Sequence, residues 1–439
     1  MEAFVDRYNA EVDRFKRAGM PTDVDRFVKT DDIKWDGTLK DHLKACIHAK
    51  FATGHIRDSL FRPYSAKMLY HDTFFLNRIY LTKRFLPTSK QQAENRLIVV
   101  SDLGYRAKAP SVLCTNLVPD LHLCATSDSH QCYPFYVYDV DGTNRRENIT
   151  DWALKQFREK YQDQASRSRE RPESGATSAD ADRPDKLTEE EKEQVLQGAK
   201  RDLQAIADFE VGRIKAVAPE PTAKSRSRKT PVADATGSPA TSASAKSYDS
   251  PKSVAHASGS WDARKITKWD IFHYVYGLLH HPGYRTKYAD NLKRELPRIP
   301  FAPDFWSFAD AGKKLADLHL NYEEHDPFDL KYVTTTGVPM SYRVEKMKLS
   351  ADKSSLKVNE SLTLAGIPPE VFEYRLGNRS ALDWVIDQYR VTEDSRSGIV
   401  SDPNREDDED YIVKLVGRVV AVSVETVKIV KGLPAEFGG

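Results

Sequence analysis

Two stretches of the sequence, residues 55–84 and 269–308, interleave aromatic rings with cationic side chains. Lysine and arginine neutralise phosphates, and aromatic rings stack on bases, so this mixture is typical of a nucleic-acid surface. A half-buried sheet with a charged outer face, or a core helix followed by a solvated helix and a proline-rich strap, fits the same residues. The cations of the two stretches are Arg57, Arg62, Lys67, Arg78, Lys83, Arg84, Arg285, Lys287, Lys293, Arg294 and Arg298.

The sequence contains no complete catalytic motif. A P-loop needs the pattern GxxxxGK[ST], and the Gly312-Lys313 pair lacks the upstream glycine. An adenine methyltransferase would carry an Asp/Asn-Pro-Pro-Tyr loop and a glycine-rich cofactor loop, and neither string occurs. The carboxylates near Lys414 match a metal-dependent nuclease no better than chance. The four cysteines form no CxxC pair, so we expect no metal site.

Apolar spacing predicts the elements that would position these side chains. Helical spacing occurs at residues 4–18, 32–51, 151–161, 270–281, 309–322 and 381–389, and we favour a helix over a strand at 411–431. Strands are predicted within 55–84 and at 96–101, 112–123, 133–138, 328–330, 342–349 and 361–364. The sequence therefore predicts a mixed α+β fold.

Composition restricts the class of protein. The formal net charge is +1, so any basic patch must be local. Few cysteines favour a reducing compartment. No apolar run reaches the roughly 18 residues of a membrane span, and the charged N-terminus has no signal-peptide pattern. We therefore expect a cytoplasmic protein without a membrane partner.

A change of composition divides the chain into three predicted regions: 1–164, 165–260 and 261–439. Residues 218–258 have almost no large apolar side chains and cannot bury enough surface to offset the entropy of ordering, so we expect disorder there. Residues 188–217 are the exception, with a Thr-x-x-Glu start and amphipathic spacing that predict a helix.

Several strings together resemble one family. They are RPYSAKMLYHD (62–72), NLVPDLHL (116–123), SHQCYPFYVY (129–138), DIFHYVYGLLHHPGYRTKYADNLKRELPRIPF (270–301), GKKLADLHLNYE (312–323), SALDWVIDQYRV (380–391), SGIVSDPN (397–404) and VSVETVKIVKGLP (422–434). The chain resembles the C-terminal part of type I single-polypeptide (type ISP) restriction–modification enzymes, which covers the end of the methyltransferase and the target recognition domain.

This resemblance implies a sequence-specific DNA-binding unit. It assigns 1–164 to the methyltransferase end and first part of the target recognition region, and 261–439 to the C-terminal specificity domain. Adenine N6-methylation and DNA cleavage, with S-adenosylmethionine, ATP and Mg²⁺, would belong to a methyltransferase, helicase and nuclease absent from this sequence. The resemblance implies an upstream partner polypeptide that carries them. Catalytic and cofactor-binding residues are therefore not expected here. The DNA-binding candidates are Arg57, Arg62, Lys67, Lys108, Gln131, Arg285, Lys287, Asn291, Lys293, Arg294 and Arg298.

Two alternatives stay open from the residues. The chain could be a stand-alone or split adenine-specific methyltransferase or nuclease component. It could also be a non-catalytic scaffold in a phage-defence complex, joined to its partners through the helix predicted at 188–217.

Overall fold

The fold is a mixed α+β arrangement, as the sequence predicts. The computed structural model describes residues 1–29, 33–76, 81–101, 110–124, 130–163, 264–292, 297–395, 398 and 400–438. The predicted disordered stretch and the helix at 188–217 lie outside these residues. Within the described residues, no helix is long and apolar enough to cross a membrane.

The helices are α1 (Glu2–Arg17), α2 (Val24–Phe27), α3 (Gly37–Lys44), α4 (Thr82–Phe85), α5 (Ser89–Glu94), α6 (Asp151–Arg158), α7 (Lys268–His280), α8 (Pro282–Lys287), α9 (Ala289–Leu292), α10 (Phe305–Leu320), α11 (Ala381–Gln388) and α12 (Tyr411–Lys431). The strands are β1 (Ile56–Arg62), β2 (Ser65–Tyr70), β3 (Leu97–Ser101), β4 (Ser111–Thr115), β5 (Val118–Pro119), β6 (His130–Pro134), β7 (Tyr136–Val137), β8 (Arg146–Glu147), β9 (Lys331–Thr334), β10 (Lys348–Leu349), β11 (Ser355–Lys357), β12 (Leu362–Ala365), β13 (Arg375–Leu376), β14 (Arg379–Ser380), β15 (Thr392–Glu393) and β16 (Val400–Ser401).

A small antiparallel sheet with the order β4-β3-β6 lies between two hydrophobic cores. All five residues of β3 are buried. Successive side chains of a strand point to opposite faces, so Leu97 and Val99 join one core while Ile98 and Val100 join the other. This is why the strand is a continuous apolar run rather than an alternating one.

The first core combines the sheet with the C-terminal helix α12. Leu415, Val416 and Val419 of this helix are fully buried. Their three- and four-residue spacing places them on one face, and the favoured helix at 411–431 is confirmed. The sheet β10-β11-β12-β9 packs into the same core through Leu356, Leu362 and other apolar residues.

The second core is built on the pair α7 and α10. Thr267 caps α7, with Asp270 completing a capping box, so the cap precedes the predicted helix start. Pro282 then begins α8, since a proline is tolerated in a first helical turn. Gly277 and Gly312 let the two helix backbones approach so closely that a Cβ on either glycine would overlap the backbone of the other helix.

A third core lies in the N-terminal helices, where Tyr8, Val12 and Phe15 of α1 pack with Leu39 and Leu43 of α3. Helix α1 matches its prediction closely. The helix predicted at 32–51 is much shorter in the structure, because α3 ends at Lys44 and Cys46 adopts a positive φ of 54°.

Two predicted strands are wrong. Residues 328–330 form no strand, because Phe328 donates its backbone N–H to the Gly417 carbonyl of α12 and Leu330 donates its own to the Phe328 carbonyl; β9 begins at the next residue. Only the last two residues of 342–349 form a strand, β10. The predicted strand 112–123 is split into β4 and β5. The three-region division of the chain stays a prediction, and both large cores draw residues from each side of 164–263.

Candidate nucleic-acid interface

The hairpin β1–β2 carries the first basic–aromatic group. Its turn places Tyr64 at a φ of 58°, and the buried Tyr64 hydroxyl lies 3.0 Å from the Tyr374 hydroxyl. The Tyr64 ring also meets the Tyr322 ring edge to face at 5.0 Å. A side chain that fixes the turn to two distant segments holds the hairpin rigidly on the first core.

Two cations of this hairpin stack on one aromatic ring. The Arg62 guanidinium lies 4.2 Å and the Lys67 ammonium 4.4 Å from the centroid of Phe61. Arg62 also forms an ion pair with Asp120 at 2.7 Å. Lys67 and the neighbouring Met68 are exposed, Met68 to 77%. The Phe61 contact positions Lys67 without neutralising its charge.

The exposed Lys67–Met68 pair lines two grooves. The first groove has a volume of about 440 Å³ and the second about 870 Å³. Polar lining residues of the first groove are Asp58, Lys67, Thr115, Asn116, His319, Asn321, Glu323, Glu324 and Arg405. The second groove is lined by Ser59, Phe61, Lys67, Met68, Leu69, His71, Leu76, Leu81, Thr82, Phe85, Val118, Pro119, Asp120, Leu121, His130 and Cys132.

The two grooves differ in electrostatics. In the second groove, burial lowers the pKa of His71 to about 4 and also lowers the pKa of His130. Burial raises the pKa of the Cys132 thiol to about 12. His71 and Cys132 are therefore uncharged at neutral pH, and apart from Lys67 and Asp120 the groove is lined mostly by apolar side chains. The first groove instead mixes carboxylate and amide acceptors with amide and cationic donors, a set able to read hydrogen-bonding patterns.

Arg57 has a structural place. It is 4% exposed, and its guanidinium donates to the Gln92 side chain and to the carbonyls of Leu86, Pro87 and Thr88. Burial lowers its pKa. The sequence suggested a phosphate contact for Arg57, but these bonds direct the guanidinium into the protein.

Among the candidates of the second stretch, Arg285 lies near Tyr374, whose hydroxyl meets that of Tyr64 in the hairpin turn. The Arg285 guanidinium bonds the Pro110 carbonyl and is largely enclosed, and burial lowers its pKa. Gln131 on β6 is exposed and accepts a 2.6 Å hydrogen bond from Tyr133. Successive side chains of a strand point to opposite faces, so Gln131 points away from the second groove, which its neighbours His130 and Cys132 line.

The remaining candidates are placed as follows. Lys287 is exposed and lies 5.6 Å from the ring centroid of Phe437. Arg298 is exposed, and Asn291 is half-buried. Lys108, Lys293 and Arg294 lie outside the described residues. The structure thus brings Arg62 and Lys67 together on Phe61, and Lys67 lines both grooves. Gln131 lies on the strand face opposite the second groove.

Sequence reasoning missed several groove residues, among them Met68, Asn116, Asn321 and Arg405. The exposure of Lys67 and Met68 at consecutive positions of β2, which breaks the alternation of a half-buried strand, is visible only in the structure. Asn321 and Arg405 carried no signal, since they reach the groove from distant parts of the chain. Within the described ranges, no group of three or more His, Cys, Asp or Glu side chains could hold a metal ion.

Solved structures with this fold are chains of larger enzymes. The chain is 24% identical to a nuclease-deletion mutant of the Type ISP restriction-modification enzyme LlaGI in complex with a DNA substrate mimic (TM-score 0.66), covering 100% of this chain and 31% of that one. It is 22% identical to the ATP-dependent Type ISP restriction-modification enzyme LlaBIII bound to DNA (TM-score 0.66), with 99% of this chain and 21% of that one covered. It is 26% identical to DrdV in a DNA complex (TM-score 0.65), with 99% of this chain and 33% of that one covered. The chain thus spans about a third or less of their length.

No curated protein matches the chain. A family model does: the one described as the Type ISP C-terminal specificity domain matches residues 1–175 and 213–415, which is most of the sequence. The chain therefore belongs to the family of Type ISP C-terminal specificity domains.

Proposed function

We propose that this chain recognises a DNA sequence for a Type ISP restriction–modification system, and that the hairpin β1–β2 and its two grooves face the duplex. Family membership supports the role, and the solved relatives LlaGI, LlaBIII and DrdV are themselves DNA complexes. The observation that carries the placement is the exposed Lys67, held on Phe61 at the edge shared by both grooves.

The division of labour follows from the chemistry of the two parts. Lys67 is suited to a phosphate, since its ammonium is a strongly hydrated point charge on a flexible stem. The first groove offers Asn116 and Asn321, whose amides can bond adenine edges, and Glu323 and Glu324, which can accept from a cytosine amino group. Lys67 would therefore set position, and the groove residues would read bases.

Methylation and cleavage are assigned to other parts of the system. S-adenosylmethionine, ATP and Mg²⁺ would act at methyltransferase, helicase and nuclease parts of the kind that the longer family enzymes carry. A polypeptide with those parts would be the protein partner of this chain.

The test is fluorescence anisotropy of the full chain with labelled duplexes recovered from a randomised pool. We expect binding that weakens with salt, and Lys67→Ala should reduce the slope of log affinity against log salt by about one. Lys155→Ala on α6 is the matched control. Lys155 is exposed, and the nearby Leu154 and Phe157 of the same helix pack in the second core. It should leave the slope unchanged.

Two outcomes would contradict the proposal. One is the absence of duplex binding at low salt, with or without a methyltransferase polypeptide added in trans. The other is an unchanged slope in Lys67→Ala while duplex binding persists, which would place the DNA on another surface.

A further inference from the structure

An exposed ribbon at residues 331–341 is unlike the rest of the surface. Every residue in it is exposed, and it comprises β9 and the loop that follows. Four of its side chains are large and apolar, with Tyr332 and Val333 about half exposed, Val338 41% exposed and Met340 43% exposed. Single exposed apolar residues are ordinary, whereas several within one short segment indicate an interaction surface. Tyr332 and Val333 point to opposite faces of β9, so Val338 and Met340 are the apolar pair of the loop.

The tip of the ribbon, residues 336–340, has a fixed base. On one side, Thr335 donates its backbone N–H to the Ser361 carbonyl at 3.0 Å. On the other, Ser341 donates its N–H to the Ser361 hydroxyl at 3.0 Å, and the Asn359 amide donates to the Ser341 carbonyl at 2.8 Å. Both ends are thus pinned to one turn.

The tip itself is turned by glycine and proline. Gly337 has a φ of +79°, and the Val338 N–H returns to the Thr335 carbonyl at 3.2 Å. Pro339 fixes its own φ. An apolar tip that is held in one shape loses little conformational entropy on binding.

The chemistry around the tip fits a polyanion better than a protein. Residues 330–344 contain no aspartate or glutamate, and they supply the hydroxyls of Thr334, Thr335, Thr336 and Ser341 together with Lys331 and Arg343. Hydroxyls and cations of this kind are common phosphate contacts. Arg343 is itself paired with Glu345 and Asp402, so Lys331 supplies the charge of the ribbon.

The ribbon also adjoins the first groove. Arg405 lines that groove, and its guanidinium lies 3.3 Å from the ring centroid of Tyr411 in the first turn of α12. Partial burial raises the pKa of Tyr332, and the charge of Asp410, the residue before Tyr411, raises it further. β9 therefore lies near the first turn of α12, whose Tyr411 contacts the groove residue Arg405.

We propose that the tip is a wedge, in which Val338 and Met340 enter between base pairs of the duplex held at the grooves. This inference rests on the proposed DNA-binding function. Apolar wedges of this kind partly unstack a base step and kink the helix, and the cost is offset by added contact and by removal of the wedge from water. The wedge would make recognition depend on a deformable step that no polar side chain touches.

The test uses the full chain and a short duplex enriched from a randomised pool on the wild-type protein. The fluorescent adenine analogue 2-aminopurine is placed at successive positions, and binding is expected to raise its emission at one step. The double variant Val338→Ser/Met340→Ser should lose this rise and bind about tenfold more weakly or worse. The control is Val140→Ser, an exposed valine elsewhere (46% exposed), which should behave as wild type.

The outcomes separate the wedge from DNA binding itself. If wild-type protein binds the duplex but raises emission at no position, or if the double variant keeps the rise, the wedge is refuted while DNA recognition stands. If wild-type protein binds no duplex, the proposed function fails. A double variant with unchanged affinity and unstacking but altered association with a protein would assign the tip to a protein partner and overturn the inference.

Discussion

Arg57 could contact a phosphate or hold the fold together, and a conservative replacement distinguishes these two roles. A phosphate contact needs only a positive charge, so Arg57→Lys would preserve it. A structural guanidinium must instead satisfy the Gln92 side chain and three backbone carbonyls at once. A lysine ammonium cannot span these acceptors, because its donors radiate from a single nitrogen.

The magnitude follows from those bonds. A buried acceptor left without a partner costs about 1–3 kcal/mol. Arg57→Lys should leave at least one carbonyl unsatisfied and lower the free energy of unfolding by about 2 kcal/mol. Arg57→Ala removes every donor and should cost about 3–5 kcal/mol, because several buried acceptors then lack a partner at about 1–3 kcal/mol each. Arg57 is 4% exposed, so solvent screening reduces these figures little.

Urea unfolding followed by tryptophan fluorescence measures the effect. The control Arg7→Lys changes an exposed arginine on α1 and should stay within about 0.5 kcal/mol of wild type. The salt dependence of DNA affinity should be unchanged in Arg57→Lys at temperatures where it is folded. The reasoning is refuted if Arg57→Lys is as stable as the control, or if Arg57→Ala remains folded and loses one unit of salt slope.

Two further predictions concern the second core. Gly312→Ala should destabilise the protein by about 3 kcal/mol or more, since its Cβ would overlap the His273 carbonyl, and loss of the cooperative thermal transition in circular dichroism would show it. Burial lowers the pKa of His280 to about 4, so the folded state takes up its proton only well below the pH at which the unfolded state does. The contribution of neutral His280 to the free energy of unfolding is therefore complete above about pH 6.5. It is lost as the pH falls towards about 4, at about 1.4 kcal/mol per pH unit. His280→Leu should remove that slope from urea unfolding measured across this range, and an unchanged slope would contradict the burial argument.

Helices with strong apolar spacing were predictable from the sequence, and strands less so. Helix α12 was favoured despite its many β-branched residues, because its apolar positions recur at helical intervals. The strand predicted at 328–330 failed because a backbone hydrogen bond to Gly417 replaced strand pairing, and that partner is distant in sequence. Short extended segments are decided by what they meet, which spacing does not encode.

The sequence alone determined the family, the α+β class and the hairpin stretch with Arg62 and Lys67, because these depend on local strings and residue types. Only the tertiary structure decided which cations face outward. Arg57 and Lys67 occur in the same basic–aromatic stretch, yet one is enclosed by carbonyls and the other lies on the shared edge of two grooves. The reason is physical: burial of a charge depends on acceptors brought near it by the fold, and the carbonyls around Arg57 lie about thirty residues further along the chain.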